Sequence, residues 1–141
     1  MVFGFTNDEH SDIRYQYIQS VEEEWLRYSK KLLRRTLAYL IDNKGDLLSA
    51  CVLIPRKFNG YPGLFIMGLT TPKSHRKKGY ASLLLSHIQQ ETETNNIYEL
   101  NLRVNDDKLH LLRPFYERNG YTYSLENGKH TFYLRNKKSA I

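Results

Sequence analysis

The sequence predicts an α/β fold of the α+β kind, in which a mixed, largely antiparallel central sheet is flanked by helices. Apolar segments of strand length alternate with segments of helical periodicity along the chain. Residues 36–41 and 47–54 are two such strand segments, and the turn sequence DNKG at 42–45 joins them into an antiparallel hairpin. The predicted order is strand, helices, three strands, helix, strand, helix and two strands, which favours a mixed sheet.

Composition predicts one cytoplasmic domain that spans residues 1–141. The single cysteine, Cys51, excludes an intramolecular disulfide and fits a reducing compartment. No signal-peptide pattern opens the chain and no apolar run reaches membrane-spanning length, so no membrane association is expected. The net charge is +6, and cations cluster at 73–78 and 135–138. Such a surface attracts a phosphorylated cofactor, a nucleic acid or an acidic protein, and charge alone does not choose among them.

The first third of the chain reads as a strand followed by helices. Residues 2–6 form a short strand, and Asn7 or Asp8 is a plausible cap for a helix over 9–33, which the pattern divides into two pieces. Pro55 and the cluster at 59–63 predict a loop after the hairpin.

The central stretch, residues 64–90, predicts a strand, a basic loop and a helix. Gly68 interrupts the apolar strand and indicates a bulge, and Pro72 ends the strand. Four cations and Gly79 precede a run with helical spacing. Unpaired N–H groups at a helix start and a glycine that admits close approach are typical of anion binding. A solvated basic turn before an ordinary helix explains the loop about equally well.

The last third of the chain continues the alternation of strands and helices. Residues 97–104 alternate as a strand, 105–107 cap a helix that contains Pro114, and two final strands surround the turn at 127–128.

Two motifs occupy these elements in register. Residues 76–81 (RKKGYA) match the pattern Q/R-x-x-G-x-G/A between a strand and a helix. After the next strand, residues 114–121 (PFYERNGY) are similar to the segment F-Y-x-x-x-G-F/Y. The pair, with its spacing and strand order, resembles the GNAT family of acyl-CoA-dependent N-acyltransferases. The resemblance covers nearly the whole chain by architecture, and residues 64–90 and 97–121 by motif.

The resemblance implies an N-acetyltransferase that uses acetyl-CoA as cosubstrate. The loop backbone wraps the pyrophosphate of acetyl-CoA, the splayed strand end pairs with the pantetheine arm, and the amide of Leu69 donates to the thioester carbonyl. Tyr116 protonates the departing thiolate. The residues thereby implied in acetyl-CoA binding are Leu69, Thr70, Thr71, Arg76, Lys77, Lys78, Gly79, Tyr80 and Ala81.

Several roles stay open on the sequence. Leu109 and Leu112 stand where similar proteins often carry Asn and Ala, so the helix start departs from the family pattern. Glu99 or, less well, Glu24 is a candidate general base. A solvent-exposed Glu99 fits the strand pattern equally well, and a water chain or a neutral amine would need no base. Tyr116 is alternatively a core aromatic. Two further residues each have a structural and a functional interpretation. Trp25 either packs in the core or lines the acceptor groove. His75 is either a surface residue of the loop or lies near the phosphates of the cofactor.

Cys51 reads as a small buried hydrophobe rather than a nucleophile. The five histidines lack ligand spacing, so no metal site is expected.

Two other classes of protein fit the same fold. One is a basic binding module without catalysis, for nucleic acid or an acidic partner, which eleven tyrosines and the positive patches permit. The other is a CoA sensor with an inactive site. The sequence does not specify the amine acceptor or the length of the acyl group. Homodimers are common among proteins of this kind, but no interface signature is visible.

Overall fold

The computed structural model of the protein describes residues 1–21 and 35–136. It divides into two compact units, the first made of Met1–Ile54 and Met67–Ile88 and the second of Pro55–Ile66 and Gln89–Ile141. None of the helices in the described ranges is long and apolar enough to span a membrane. The second piece of the predicted first helix, with Glu24 and Trp25, lies outside the described residues, as does the tail after Asn136.

In the part of the chain that the structure describes, seven strands form one sheet in the order β1-β2-β3-β4-β5-β7-β6. Their bounds are β1 (Val2–Thr6), β2 (Thr36–Ile41), β3 (Leu47–Phe58), β4 (Tyr61–Thr70), β5 (Glu99–Val104), β6 (Thr122–Glu126) and β7 (Lys129–Arg135). The ladders β1–β2, β2–β3, β5–β7 and β6–β7 are antiparallel, whereas β4 and β5 are parallel. The predicted mixed, largely antiparallel sheet is therefore confirmed.

Three helices flank the sheet within the described residues: α1 (Asp12–Ser20), α2 (Tyr80–Thr94) and α3 (Leu109–Arg118). Two 3-10 turns, Lys73–His75 and Asp106–Lys108, precede α2 and α3. Each 3-10 turn lies at the carboxyl end of one of the two parallel strands and joins that strand to the following helix.

The helix caps differ from those expected. Ser11, and neither Asn7 nor Asp8, caps α1, and its hydroxyl accepts the Arg14 N–H at 3.1 Å. Asp8 instead accepts the His10 N–H at 2.9 Å, a local turn of the kind that aspartate favours before a helix. The expected caps at 105–107 are also wrong, since neither the 3-10 turn nor α3 has a side-chain cap hydrogen bond.

The loop expected at Pro55 and 59–63 is wrong as well. Strand β3 continues through Pro55 to Phe58, and strand β4 begins at Tyr61. Asn59 and Gly60 have φ values of 53° and 82°, which fit the two-residue turn whose twist suits a hairpin. The turn chemistry of these two residues outweighs the strand-breaking tendency of Pro55 in this place.

Each unit has its own apolar core. In the first unit, half of the residues of β2 and most of those of β3 are buried with one side of α2, including Leu37, Val52, Leu84 and Ile88. In the second unit, Leu100, Leu102 and Phe132 from β5 and β7 are buried together with Tyr116 of α3 and Tyr121.

Candidate functional site

The end of strand β4 is held in place by α1. The Tyr17 hydroxyl donates a 2.8 Å hydrogen bond to the carbonyl of Gly68, whose φ is 62°. A left-handed glycine within a strand is what the predicted bulge requires. Burial raises the pKa of the Tyr17 phenol, so the hydroxyl keeps its proton and remains a donor.

The next three residues, Leu69, Thr70 and Thr71, are half-buried and form the strand end predicted to contact acetyl-CoA. The Thr70 carbonyl accepts the Ser49 hydroxyl at 3.0 Å, and the Thr71 carbonyl accepts the Arg76 Nε at 2.9 Å. Because both carbonyls are engaged within the first unit, the strand end has a fixed conformation.

The loop that follows reaches α2 through two left-handed residues. Lys77 has φ 64° and Gly79 has φ 82°. Helix α2 begins at Tyr80, and the Leu83 N–H donates to the Gly79 carbonyl at 3.0 Å. The first amides of a helix lack an intrahelical acceptor and carry partial positive charge. A Cβ added at Gly79 would meet no atom within 4 Å, so the backbone here is open to a ligand.

Positive side chains surround this opening. Lys73, Arg76, Lys77 and Lys78 are all exposed, while the half-buried His75 contacts the ring of Tyr80 at 6.1 Å between centroids. The predicted cluster of cations therefore exists in space and not only along the chain.

One carboxylate faces the loop from the turn between β2 and β3. Hydrogen bonds from the Asp46 and Lys44 N–H groups, with the charge of His75 nearby, hold the pKa of Asp42 below its usual range. Beside this turn lies a groove of about 600 Å³ within the first unit. It is bounded by Gln16 and Ser20 of α1, Asp46, and the segment 72–76.

Tyr116 lies in the second unit, on α3, with 7% of its surface exposed. Its ring centroid is 5.2 Å from that of Phe132 and 6.0 Å from that of Tyr121. Its backbone carbonyl accepts the Tyr121 N–H at 3.1 Å and fixes the end of the helix. This position is that of a core aromatic, and the role of Tyr116 as a proton donor stays a prediction.

Glu99 is not the exposed residue that one interpretation allowed, because only 3% of it is accessible. One carboxylate oxygen accepts the Arg135 Nε at 3.0 Å and the other accepts the Asn101 amide at 2.8 Å. A general base must lie within reach of the proton that it abstracts, whereas the buried carboxylate of Glu99 is directed at Arg135 and Asn101. Glu99 therefore acts as the counter-ion of Arg135, and we do not retain it as a candidate base.

A hydrogen-bonded chain that sequence reasoning missed joins the start of α3 to β6 and β7. The Tyr123 hydroxyl lies 2.6 Å from His130 Nδ1, and His130 Nε2 contacts the carboxylate of Asp106. An ionised carboxylate can only accept, so Nε2 carries a proton toward Asp106, and Nδ1 and the Tyr123 hydroxyl share the second hydrogen bond. The Arg113 guanidinium lies 4.2 Å from the Tyr123 ring centroid. The register Leu125↔His130 and Tyr123↔Phe132 creates this juxtaposition, and no spacing in the sequence signals it.

The remaining candidates behave as structural residues. Cys51 is fully buried, and burial raises the pKa of its thiol to about 12. This confirms the prediction that Cys51 is a small buried hydrophobic residue. Across residues 1–21 and 35–136, no group of three or more His, Cys, Asp or Glu side chains could hold a metal ion.

Comparison with known proteins gives one family. A model described as "Acetyltransferase (GNAT) family" matches residues 4–121. Among curated proteins, none matches this sequence.

Solved structures share the fold at low identity. Tetrahymena GCN5 is 10% identical with a TM-score of 0.73, covering 98% of each chain. An aminoglycoside 6'-N-acetyltransferase complexed with coenzyme A is 15% identical with a TM-score of 0.72, covering 96% of this chain and 97% of its own. AtaTR bound with AcCoA is 18% identical with a TM-score of 0.73, covering 99% and 95%.

Proposed function

Because the chain belongs to the acetyltransferase (GNAT) family, we propose that it transfers an acetyl group from acetyl-CoA to a primary amine. The observation that carries this proposal is the strand-loop-helix segment of residues 64–94. Its strand contains the left-handed Gly68, its loop contains the left-handed Lys77 and Gly79, and exposed cations line its surface. Two structures of the same fold hold coenzyme A or AcCoA, which supports acetyl-CoA as the donor.

In this proposal the pyrophosphate of acetyl-CoA rests on the backbone of residues 77–81, where the amides that open α2 point outward. The side chains of Arg76, Lys77 and Lys78 supply the surrounding positive potential. The pantetheine arm runs beside residues 69–71. The Tyr17 and Ser49 bonds at this strand end reduce its freedom, so its backbone groups are positioned before the substrate arrives.

The reaction forms a C–N bond and breaks the C–S bond of the thioester. Negative charge grows on the carbonyl oxygen as the amine attacks, and we assign its stabilisation to the Leu69 amide. A fixed backbone donor of this kind is worth roughly 3–4 kcal/mol.

The leaving thiolate takes a proton, and the attacking amine loses one. We assign the first transfer to Tyr116. An ordinary phenol has a pKa near ~10 and an ordinary thiol one near ~8.5, so the transfer costs about 2 kcal/mol before any help from the surroundings. With Glu99 engaged by Arg135, a water molecule or an amine that arrives neutral accounts for the second transfer without a dedicated side chain.

Thermal unfolding with acetyl-CoA tests the donor site. A ligand at one hundred times its Kd stabilises the folded state by about 2.7 kcal/mol. We expect a shift with acetyl-CoA that persists at 300 mM salt and little shift with the same concentration of ATP. Equal small shifts that vanish with salt would contradict the proposal, because nonspecific anion binding is screened. Release of free CoA with a panel of amines then identifies the acceptor class.

A further inference from the structure

One face of the sheet in the second unit carries a row of aromatic and arginine side chains. Residues opposite each other in a ladder project to the same face. Phe65 of β4 is paired with Asn101, which is paired with Tyr133 of β7. By the same register, Arg103 lies beside Thr131, and Glu99 lies beside Arg135. We call the set Arg56, Phe65, Arg103, Tyr133 and Arg135 the arginine–aromatic face.

Two guanidinium groups share one ring on this face. Arg56 lies 4.1 Å and Arg103 lies 5.7 Å from the centroid of Phe65, and both arginines are exposed. No carboxylate in the described part of the chain forms an ion pair with either arginine. Two neighbouring positive charges without a counter-ion repel each other, so an anion placed between them would be attracted by both.

A third guanidinium extends the pattern across the sheet. Arg135 lies 4.4 Å from the Tyr133 ring centroid and 5.8 Å from that of Tyr98. Tyr98 in turn contacts Tyr61 at 4.9 Å, and Tyr61 is 45% exposed. Each of the three arginines thus lies against a ring, and this contact lowers the side-chain entropy that it would lose on binding a ligand.

Within the described residues, one acidic group offsets part of this charge, because Glu99 is the counter-ion of Arg135. Glu99 is buried beneath the face and bound to Arg135 and Asn101. Glu126, the other acid in register, lies at the far end of the β6–β7 hairpin, directly opposite Lys129. The uncompensated positive charge of the face therefore lies on Arg56 and Arg103.

From this arrangement we propose that the arginine–aromatic face binds single-stranded nucleic acid. Arginine forks match phosphate oxygens, while the planes of the exposed guanidinium groups and the exposed ring of Tyr61 are suited to stack on bases. An acidic peptide would use the charges but leave the planar groups without a function. Arg103 and Arg135 are four residues apart in register, about 13 Å along the strands, so the face suits an extended chain better than one isolated anion. This binding does not depend on the proposed acetyl transfer.

Fluorescence anisotropy of the full-length protein tests this proposal, with labelled 12-nucleotide oligouridylate RNA and oligothymidylate DNA as probes at 100 mM salt. We expect the double substitution Arg56→Ala and Arg103→Ala to weaken binding at least tenfold. It should also reduce the slope of log K against log salt by about 1.4, since each lost phosphate contact on a single strand contributes about 0.7. The charge-matched control, Lys44→Ala with Arg118→Ala, removes two exposed cations elsewhere and should change binding less than threefold.

Two further measurements separate stacking from charge. Arg56→Lys keeps the charge but loses the guanidinium plane over the ring of Phe65, so this substitution should weaken binding several-fold. An abasic strand of equal length should bind the wild-type protein less tightly than either probe. Preference for RNA or DNA decides which strand is bound. Absence of wild-type binding at 100 mM salt, equal losses in the double variant and its control, or equal affinity for the abasic strand would each overturn the proposal.

Discussion

Adding one methyl group at Gly79 tests the role of the loop before α2 most directly. Gly79 has φ 82°, and a Cβ there would meet no atom within 4 Å. Alanine in this left-handed conformation costs about 1–2 kcal/mol of folding free energy, which comes from the backbone alone. Gly60 provides a matched control, because it has the same φ and its Cβ would also meet nothing. Gly79→Ala and Gly60→Ala should therefore lower stability by similar amounts.

Binding of acetyl-CoA should separate the two variants. If a pyrophosphate rests on the backbone at Gly79, the new Cβ occupies the space of that contact. Hydrogen bonds to charged groups contribute about 1.5–3 kcal/mol, so the loss of one raises Kd about tenfold or more. Gly60→Ala, in the β3–β4 turn, should leave Kd unchanged.

The assay is isothermal titration with acetyl-CoA for binding, and urea unfolding of the same preparations for stability. The expected result is equal stability with unequal affinity. If both variants bind acetyl-CoA as the wild type does, the pyrophosphate does not approach Gly79 and the assignment of the loop is refuted. If Gly79→Ala is much less stable than Gly60→Ala, the matched-strain argument itself fails.

Three other predictions address the proton donor, the chain at α3 and the turn at Asp42. Tyr116→Phe should lower kcat at least tenfold with little change in the Kd for acetyl-CoA, because it removes only the hydroxyl; unchanged kcat in a steady-state assay would remove Tyr116 from the mechanism. His130→Ala should lower the free energy of unfolding by about 1–2 kcal/mol, since it breaks the link between Tyr123 and Asp106. Asp107→Ala, beside Asp106 and exposed, is its control in urea unfolding, and a similar loss there would contradict the role of His130. Folding lowers the pKa of Asp42, so this carboxylate stabilises the native state above its unfolded pKa of about 4 and the stabilisation disappears as pH falls through the native value. The difference in stability between wild type and Asp42→Asn should therefore be present at pH 7 and vanish in acid, and a difference that is independent of pH would exclude the titration of Asp42 as its cause.

The sequence was a good guide where a local signal matches the final structure. Gly68, the cations of 73–78 and Gly79 indicated a bulge, a basic loop and a helix start, and the backbone has left-handed residues at both glycines. The hairpin at 42–45 and the turn at 127–128 were equally clear, because their residues tolerate positive φ. The prediction that Asn7 or Asp8 caps α1 was wrong, because several polar residues precede this helix and any of them could accept an N–H. The hairpin at Asn59 and Gly60 was mistaken for a longer loop, because Pro55 and Pro62 also signal a break.

Periodicity and turn chemistry determined the fold class and the order of elements, and the motif resemblance pointed to the loop proposed to bind acetyl-CoA. These properties depend on neighbouring residues and can be read from one chain. Only the tertiary structure decided which residues of different strands meet. Register buried Glu99 against Arg135, formed the chain from Tyr123 through His130 to Asp106, and brought Arg56 and Arg103 to the same ring. Such contacts join residues that are distant in sequence, and their geometry is fixed by the pairing of strands, which no local pattern records.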